Sequence, residues 1–411
     1  MGKECSTYKE NEATRSLWLN YALCAAVYLT VNILFVCKYV PRAGVSPLWA
    51  SVAYAVGFLA FAALVYSLKK YLFSDKVCKY LAWGTPVAVT LCTVVALWKI
   101  DPMQINVDRW SATTCFLDAL FNGIYPYGVH THLFEGNYPS PFPVWHYLTI
   151  PFWLIGDVGW GMIAFLWLAA VAVYKFHNSH RELLLFLLLL AVSPAFWWEI
   201  MVRSDGLSNA FFVFALILWT EKRCWTDSES LGRHWAVVAV IVGLAVCTRF
   251  SAAIPLAIFL FRRYTRSDVK TLILFPLIVF AVALAVFAPY IFWDTETWVF
   301  FRRNPFMSQS SPGNPFILLV MAGIAVVLAC RRQTFICRMG TVGVFFFAFM
   351  MVSMLGIILN AEEKITLFDI QCDISYLTLA LPYCLMPLIT SPFPFSTRTS
   401  VTASRLSEQR L

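Results

Sequence analysis

Apolar runs of roughly 20 residues recur along this chain, and they constrain its fold more than any other feature. Thirteen such segments follow one another between Leu17 and Thr390. At 1.5 Å per residue, about 20 residues in a helix span the ~30 Å hydrocarbon core of a bilayer. With no water there, each segment must satisfy its own backbone polar groups, which a helix does. Only 13% of the 411 residues are charged, against about a quarter in a soluble domain, too few to coat a soluble fold of this size. The expected fold is all-α: a polytopic membrane helical bundle of about 12–13 apolar segments, forming one integral-membrane domain over 1–411. Nucleic-acid binding, secreted disulfide scaffolds and cytosolic enzymes are excluded.

The net charge of +8 reads as topology. Of the 31 Lys and Arg, 22 fall in seven stretches: 1–16, 69–79, 175–181, 221–233, 262–270, 331–338 and 391–411. Positive-inside bias places these in the cytoplasm, the two tails 1–16 and 391–411 included. The stretches 99–140, 199–205, 293–313 and 360–373 are aromatic, proline-rich and acidic, and should face outward. The first apolar run lacks a small-residue cleavage site after it, so an uncleaved first helix is expected. Segment 141–156 is short and holds Pro141, Pro143 and Pro151. Reading it as a partial dip or interfacial helix leaves twelve crossings with both termini inside; a thirteenth crossing would set loops against the charge rule. Segment 235–261 is basic at both ends and carries Arg249 in its middle. It reads as a helical hairpin with Thr248–Ser251 at its outer tip. The 12 Cys lie mostly in or beside apolar runs without metal-ligand spacing, as buried small hydrophobes do.

The long outer stretch 99–140 carries the richest chemistry. It runs from Asn106-Val107-Asp108-Arg109-Trp110, through an amphipathic stretch, to Gly123-Ile124-Tyr125-Pro126-Tyr127, and ends in Tyr138-Pro139-Ser140-Pro141. Its aromatics suit the headgroup region. Asp108, an acid just beyond a crossing, is placed for general-base work on a lipid-borne substrate whose phosphate sits at the same level. Arg203, Arg249, Arg302 and Arg303 lie on outer stretches against the positive-inside trend, and an Arg near membrane depth needs an anionic partner. No Asp-x-Asp occurs, so the sequence requires no divalent metal and no cofactor.

In this order of motifs the chain resembles the GT-C superfamily of integral-membrane glycosyltransferases, closest to its bacterial mannosyltransferase-like branch. The likeness rests on Asp108 early in the first large outer loop, the Gly-x-x-Pro-Tyr of Gly123–Tyr127, and Tyr138-Pro139-Ser140-Pro141 before the next apolar segment. Arg203-Ser204-Asp205-Gly206, Thr248-Arg249 with Arg in place of Lys, and the Trp293–Pro315 loop agree with it. It spans about residues 80 to 390. Three crossings precede the acidic loop, where many relatives have one.

The resemblance implies an inverting transferase that moves a single hexose, such as mannose, from a polyprenyl phosphate to an acceptor hydroxyl on the outer face. The acceptor would be a glycan or lipid, with membrane lipid around the site. Asp108 would be the base; Arg249, Arg302, Arg303 and Arg203 would bind the donor phosphate. Asp205, His130, His132, His146, Tyr127 and Tyr138 are candidates for holding substrate. Short loops and absent N-glycosylation sequons suit a bacterial inner membrane.

Blander roles compete. Asp108 and Arg109 make a surface ion pair at a helix start in one reading. Asp205 caps its helix or pairs with Arg203 in another, and Asp369 and Asp373 read as solvated. Two rival functions remain. A transporter or flippase of lipid-linked glycans usually shows internal repeats and midplane charges, and neither is evident. A ligase, polymerase or acyltransferase works at the same interface.

Overall fold

The computed structural model describes residues 2–224, 230–310, 315–369 and 371–390. The tail at 391–411 and the stretches 225–229 and 311–314 lie outside them. Fifteen helices carry the architecture. They are α1 (Gly2–Tyr39), α2 (Pro47–Ser67), α3 (Asp75–Lys99), α4 (Arg109–Phe121), α5 (Pro143–Leu154), α6 (Trp160–His177), α7 (His180–Ala191), α8 (Pro194–Met201), α9 (Asp205–Cys224), α10 (Trp235–Val246), α11 (Ala253–Thr265), α12 (Val269–Ile291), α13 (Pro315–Cys330), α14 (Phe335–Asn360) and α15 (Leu381–Thr390). No strand occurs among the described residues. Six helical stretches are long and apolar enough to cross a membrane, or seven if α7 and α8 form one broken span. The chain is therefore a multi-pass membrane helical bundle.

The break between α7 and α8 shows how local chemistry shapes the bundle. Pro194 has no N–H to continue the ladder, so the helix turns by 71°. The freed groups find partners: Ser193 Oγ accepts from the Phe196 N–H at 3.2 Å. That same hydroxyl donates to Asn32 Oδ1 of α1 at 2.5 Å, and the Ala195 N–H donates there at 3.2 Å. A fully buried asparagine in an apolar helix thus supports a bend that the apolar pattern alone does not reveal.

The bundle has two chemically distinct ends. At one end, Lys222 donates to the carbonyl of Lys175, Arg263 Nη2 pairs with Glu221 Oε1 at 2.8 Å, and Arg262 reaches the Cys330 carbonyl at 3.2 Å. Arg181 lies over the Phe73 ring there, and Asn20 Nδ2 donates to the Cys337 carbonyl at 3.0 Å. At the other end, Lys38 Nζ donates to the carbonyls of Cys372 at 2.9 Å and Asp369 at 3.3 Å. Arg203 bonds the carbonyls of Leu97 and Ile100, and Tyr125 Oη donates to the Arg303 carbonyl at 2.5 Å. Among the described residues the basic stretches 69–79, 175–181, 262–270 and 331–338 gather at the first end and the aromatic, acidic stretches at the second.

Two expectations about loops are resolved by these contacts. Helix α9 places Asp205 against Arg249 at one of its ends and Glu221 against Arg263 at the other. Segment 235–261 is therefore a hairpin of α10 and α11, with Arg249 at the aromatic end. Helix α5 starts and finishes at that same end. The Phe142 and Val144 N–H groups donate to the Thr248 and Cys247 carbonyls, and Asp157, just beyond α5, pairs with Arg203. It runs alongside α4, with His146 stacked on Phe116 and Trp153 on Phe121. The 141–156 segment does not pass from end to end.

One topological result is expected. In a cysteine-light background, cysteines placed at exposed Asn106 and Arg266 should react with an impermeant thiol reagent from opposite sides of the membrane. Labelling of both from one side would break the two-ended arrangement.

Candidate active site

Helices α10 and α11 have only 12 and 13 residues, about 18–20 Å at 1.5 Å per residue. Their shared tip carries Arg249 at the aromatic end, where the next residue, Phe250, is bonded by Gln309. It is 1% exposed, and its backbone is extended rather than helical. Its guanidinium forms an ion pair with Asp205, the first residue of α9, itself 4% exposed. Asp205 Oδ1 also faces Arg109 Nη1 at 3.8 Å, and Arg109 pairs with Asp373 of the last aromatic-end loop. The Tyr376 ring packs under both guanidinium groups, 5.2 Å from Arg109 and 5.9 Å from Arg249. Four elements distant in sequence thus meet in one chain of charges: Asp373, Arg109, Asp205, Arg249. Burial opposes the charge on Arg109, but Asp373 and the neighbouring acids outweigh it and hold the guanidinium more firmly protonated than in water.

Asp108 stands beside this chain. It occupies the N-cap position of α4 without capping it, and it makes no ion pair with Arg109, so neither bland role applies. Its Oδ2 accepts from Asn137 Nδ2 at 2.8 Å. The other oxygen accepts no hydrogen bond among the described residues, and the residue is half-buried. Asn137 is held in turn: its Nδ2 also donates to Thr131 Oγ1 at 2.7 Å, and its carbonyl accepts from the Thr131 N–H. The next residue, Tyr138, carries the Arg303 guanidinium 4.4 Å above its ring. Asn137-Tyr138 therefore links the carboxylate of Asp108 to an exposed cation on the second aromatic-end loop. Arg302 is exposed and makes no side-chain hydrogen bond, ion pair or ring contact among the described residues. The same loop is tied down over the hairpin tip, where Gln309 accepts from the Phe250 N–H at 2.8 Å and donates to the Ser140 carbonyl at 2.5 Å.

The remaining candidates divide sharply. Arg203 is committed elsewhere. Its left-handed backbone (φ 54°) aims the side chain at Asp157, 3.0 Å away, and at the carbonyls of Leu97, Ile100 and Met201. Four of its five N–H donors are taken by this structural clamp, which aims the guanidinium away from Asp108 and Arg303. Asp205 neither caps α9, which Ser204 Oγ does through the Leu207 N–H, nor pairs with Arg203. His146 is fully buried: Nε2 donates to the Pro141 carbonyl at 3.2 Å and the ring stacks on Phe116 at 3.5 Å. Tyr127, also buried, donates to that same carbonyl at 3.1 Å. These two shape the Pro141 turn from below.

His132 Nε2 donates to the Ile105 carbonyl at 3.1 Å, which leaves Nδ1 to accept from Ser111 Oγ at 2.6 Å; this bracket holds the start of α4. His130 is exposed, accepts from the Gly136 N–H at 2.8 Å and lies 4.8 Å from the Tyr138 ring. Of the histidines, only His130 borders the Tyr138–Arg303 surface.

Three residues gain importance that sequence reading did not give them. Asp373, expected to be solvated, is the ion-pair partner of Arg109. Tyr376 floors the charge chain. Glu199, 1% exposed, lies within electrostatic range of Arg109 and Asp373, with the Ser204 and Ser375 side chains facing its carboxylate. A carboxylate between the apolar residues Phe196-Trp197-Trp198 and Ile200-Met201 was the available signal. Among the described residues, no three His, Cys, Asp or Glu side chains are grouped as a metal site requires. The eleven cysteines from Cys24 to Cys384 are free thiols. No family model matches this chain, and neither does any curated protein or solved structure.

Proposed function

We propose that this chain is a membrane glycosyltransferase that moves one hexose from a polyprenyl-phosphate donor to an acceptor hydroxyl at the aromatic end. The observation that carries the reading is the placement of Asp108. Its carboxylate has one oxygen pinned by Asn137 and the other open, beside an exposed cation on an aromatic ring. The open oxygen takes the acceptor proton as the acceptor oxygen bonds to the anomeric carbon. The bond from that carbon to the phosphate oxygen breaks, and the configuration inverts. General-base assistance of this kind contributes about 10²–10⁴-fold.

The departing polyprenyl phosphate gains charge as the bond breaks, and positive groups fixed near it lower the barrier. Arg302 and Arg303 are the arginines on which this reading relies, because both are exposed on the loop bordering Tyr138. Arg249, already neutralised by Asp205, serves mainly to fix the hairpin tip under the site. His130 and Tyr138 are the candidates for contact with the sugar. The reading needs no cofactor beyond the lipid-linked donor, and it places the protein in a cell-envelope membrane with the basic end in the cytoplasm.

A direct test compares lipid-linked sugars, separated by thin-layer chromatography, from membranes that express or lack the chain. The active protein should deplete one polyprenyl-phosphate sugar and release the free polyprenyl phosphate. Redistribution of an intact lipid-linked glycan across the membrane, with no depletion, would favour a flippase instead.

A further inference from the structure

At the basic end, far from Asp108, a narrow cavity of about 180 Å³ opens between α1, α2, α7 and α15. Its walls run along the bundle axis. Tyr21, Val65, Arg181 and Ile389 line it on the side of the basic end, and Phe58 and Leu189 line it further along the helices. From position 181 to 189 the helix rises about 12 Å, so the slot is deep and thin rather than a surface dent. Apart from two tyrosines, Arg181 is the only polar lining residue. Tyr28 Oη is already used, donating to the Leu189 carbonyl at 2.6 Å.

Arg181 makes no ion pair among the described residues, and its Nε is buried without a hydrogen-bond partner. Its guanidinium lies 5.2 Å over the Phe73 ring, facing the loop after α2. The neighbouring Glu182 lies within electrostatic range of His177 and, like Arg181, of Cys78, without forming an ion pair with Arg181. A cation with unused donors beside an apolar slot at the basic end of the bundle has a definite chemical complement.

We infer that the slot between α1, α2 and α7 binds one anionic glycerophospholipid, its acyl chain inserted along Leu185–Leu189 and its phosphate on Arg181. The lipid comes from the leaflet at the basic end. Charge selects it: a zwitterionic headgroup brings its own cation and gains less from Arg181. Attraction of an anionic headgroup to one basic side chain near the surface corresponds to a preference of about fivefold. The acyl chain supplies the rest through burial of apolar surface. Occupancy would fill the gap between α2 and the bundle; the span in α2 is the least buried of the apolar spans, at 6%. The inference stands independently of any transferase activity.

The test is native mass spectrometry of the full chain in detergent, with equal mole fractions of dioleoyl phosphatidylglycerol and dioleoyl phosphatidylcholine. The wild type should retain phosphatidylglycerol about fivefold over phosphatidylcholine. Arg181→Ala should lose that preference, and Arg181→Lys should keep part of it. Ala62→Trp, which fills the slot without touching the charge, should reduce retention of both lipids. Glycerol phosphate at matched concentration should not compete, because it lacks the chain. Equal retention by wild type and Arg181→Ala, undiminished retention by Ala62→Trp, or displacement by glycerol phosphate would each overturn the inference. The lysine and slot-filling variants keep the test decisive if the alanine variant fails to elute as a monodisperse species.

Discussion

Replacing Asp108 by Asn should lower transfer by about 10²-fold or more while the protein folds and melts as before. Asn keeps the size of the side chain and can still hydrogen-bond Asn137 after an amide flip, but it cannot accept a proton. Asp108 is half-buried and makes no ion pair, so its structural cost is that of an ordinary partly exposed substitution, within about 1 kcal/mol. The measurement is transfer from a polyprenyl-phosphate hexose in detergent, paired with a thermal melt by fluorescence-detected size exclusion. Retained activity with an unchanged melt would remove the general base and with it the proposed mechanism. Lost activity accompanied by a lowered melt would make Asp108 a support for the Asn137 turn rather than the base.

Much of the fold could be read from the sequence, because in a bilayer hydropathy and charge placement act on whole segments. The segregation of the basic stretches to one end follows from loop composition alone. Arg249 in the middle of 235–261 signalled a tip, because a lone arginine cannot remain at the centre of a crossing without partners. Segment 141–156 was ambiguous for a physical reason. Its length and prolines fit either a short crossing or a dip, and only the contacts of Phe142 and Asp157 at its two ends decide between them.

The site was less legible, because pairing is a property of packing. Arg203 and Arg249 look alike in sequence: each is an outer arginine next to a hydroxyl residue. A left-handed backbone turns the first toward Asp157, while the hairpin tip delivers the second to Asp205. Asp373 read as solvated because its partner, Arg109, lies 264 positions away. No local pattern couples the two. Asn137 could not be linked to Asp108 without the Thr131 turn that holds it.

The buried pair Arg249–Asp205 should dominate stability rather than donor affinity. Both partners are almost fully buried, 1% and 4% exposed. Removing Arg249 leaves Asp205 with only the longer contact to Arg109, and an uncompensated buried charge costs ~3–5 kcal/mol. Arg249→Ala should therefore lower the melting temperature strongly and reduce the yield of monodisperse protein. Arg249→Lys keeps the charge but loses the planar fork, so its effect should be smaller. The double replacement Arg249→Met with Asp205→Asn removes both charges at similar volume and should recover most of the lost stability, since a neutral core often matches or exceeds a buried ion pair. If Arg249 instead acted only on the donor phosphate, Arg249→Ala would melt like the wild type and lose turnover alone, and the double replacement would rescue nothing. The melt of the single variant and the rescue by the double one are read on the same instrument, and together they separate an anchor beneath the site from a phosphate ligand within it.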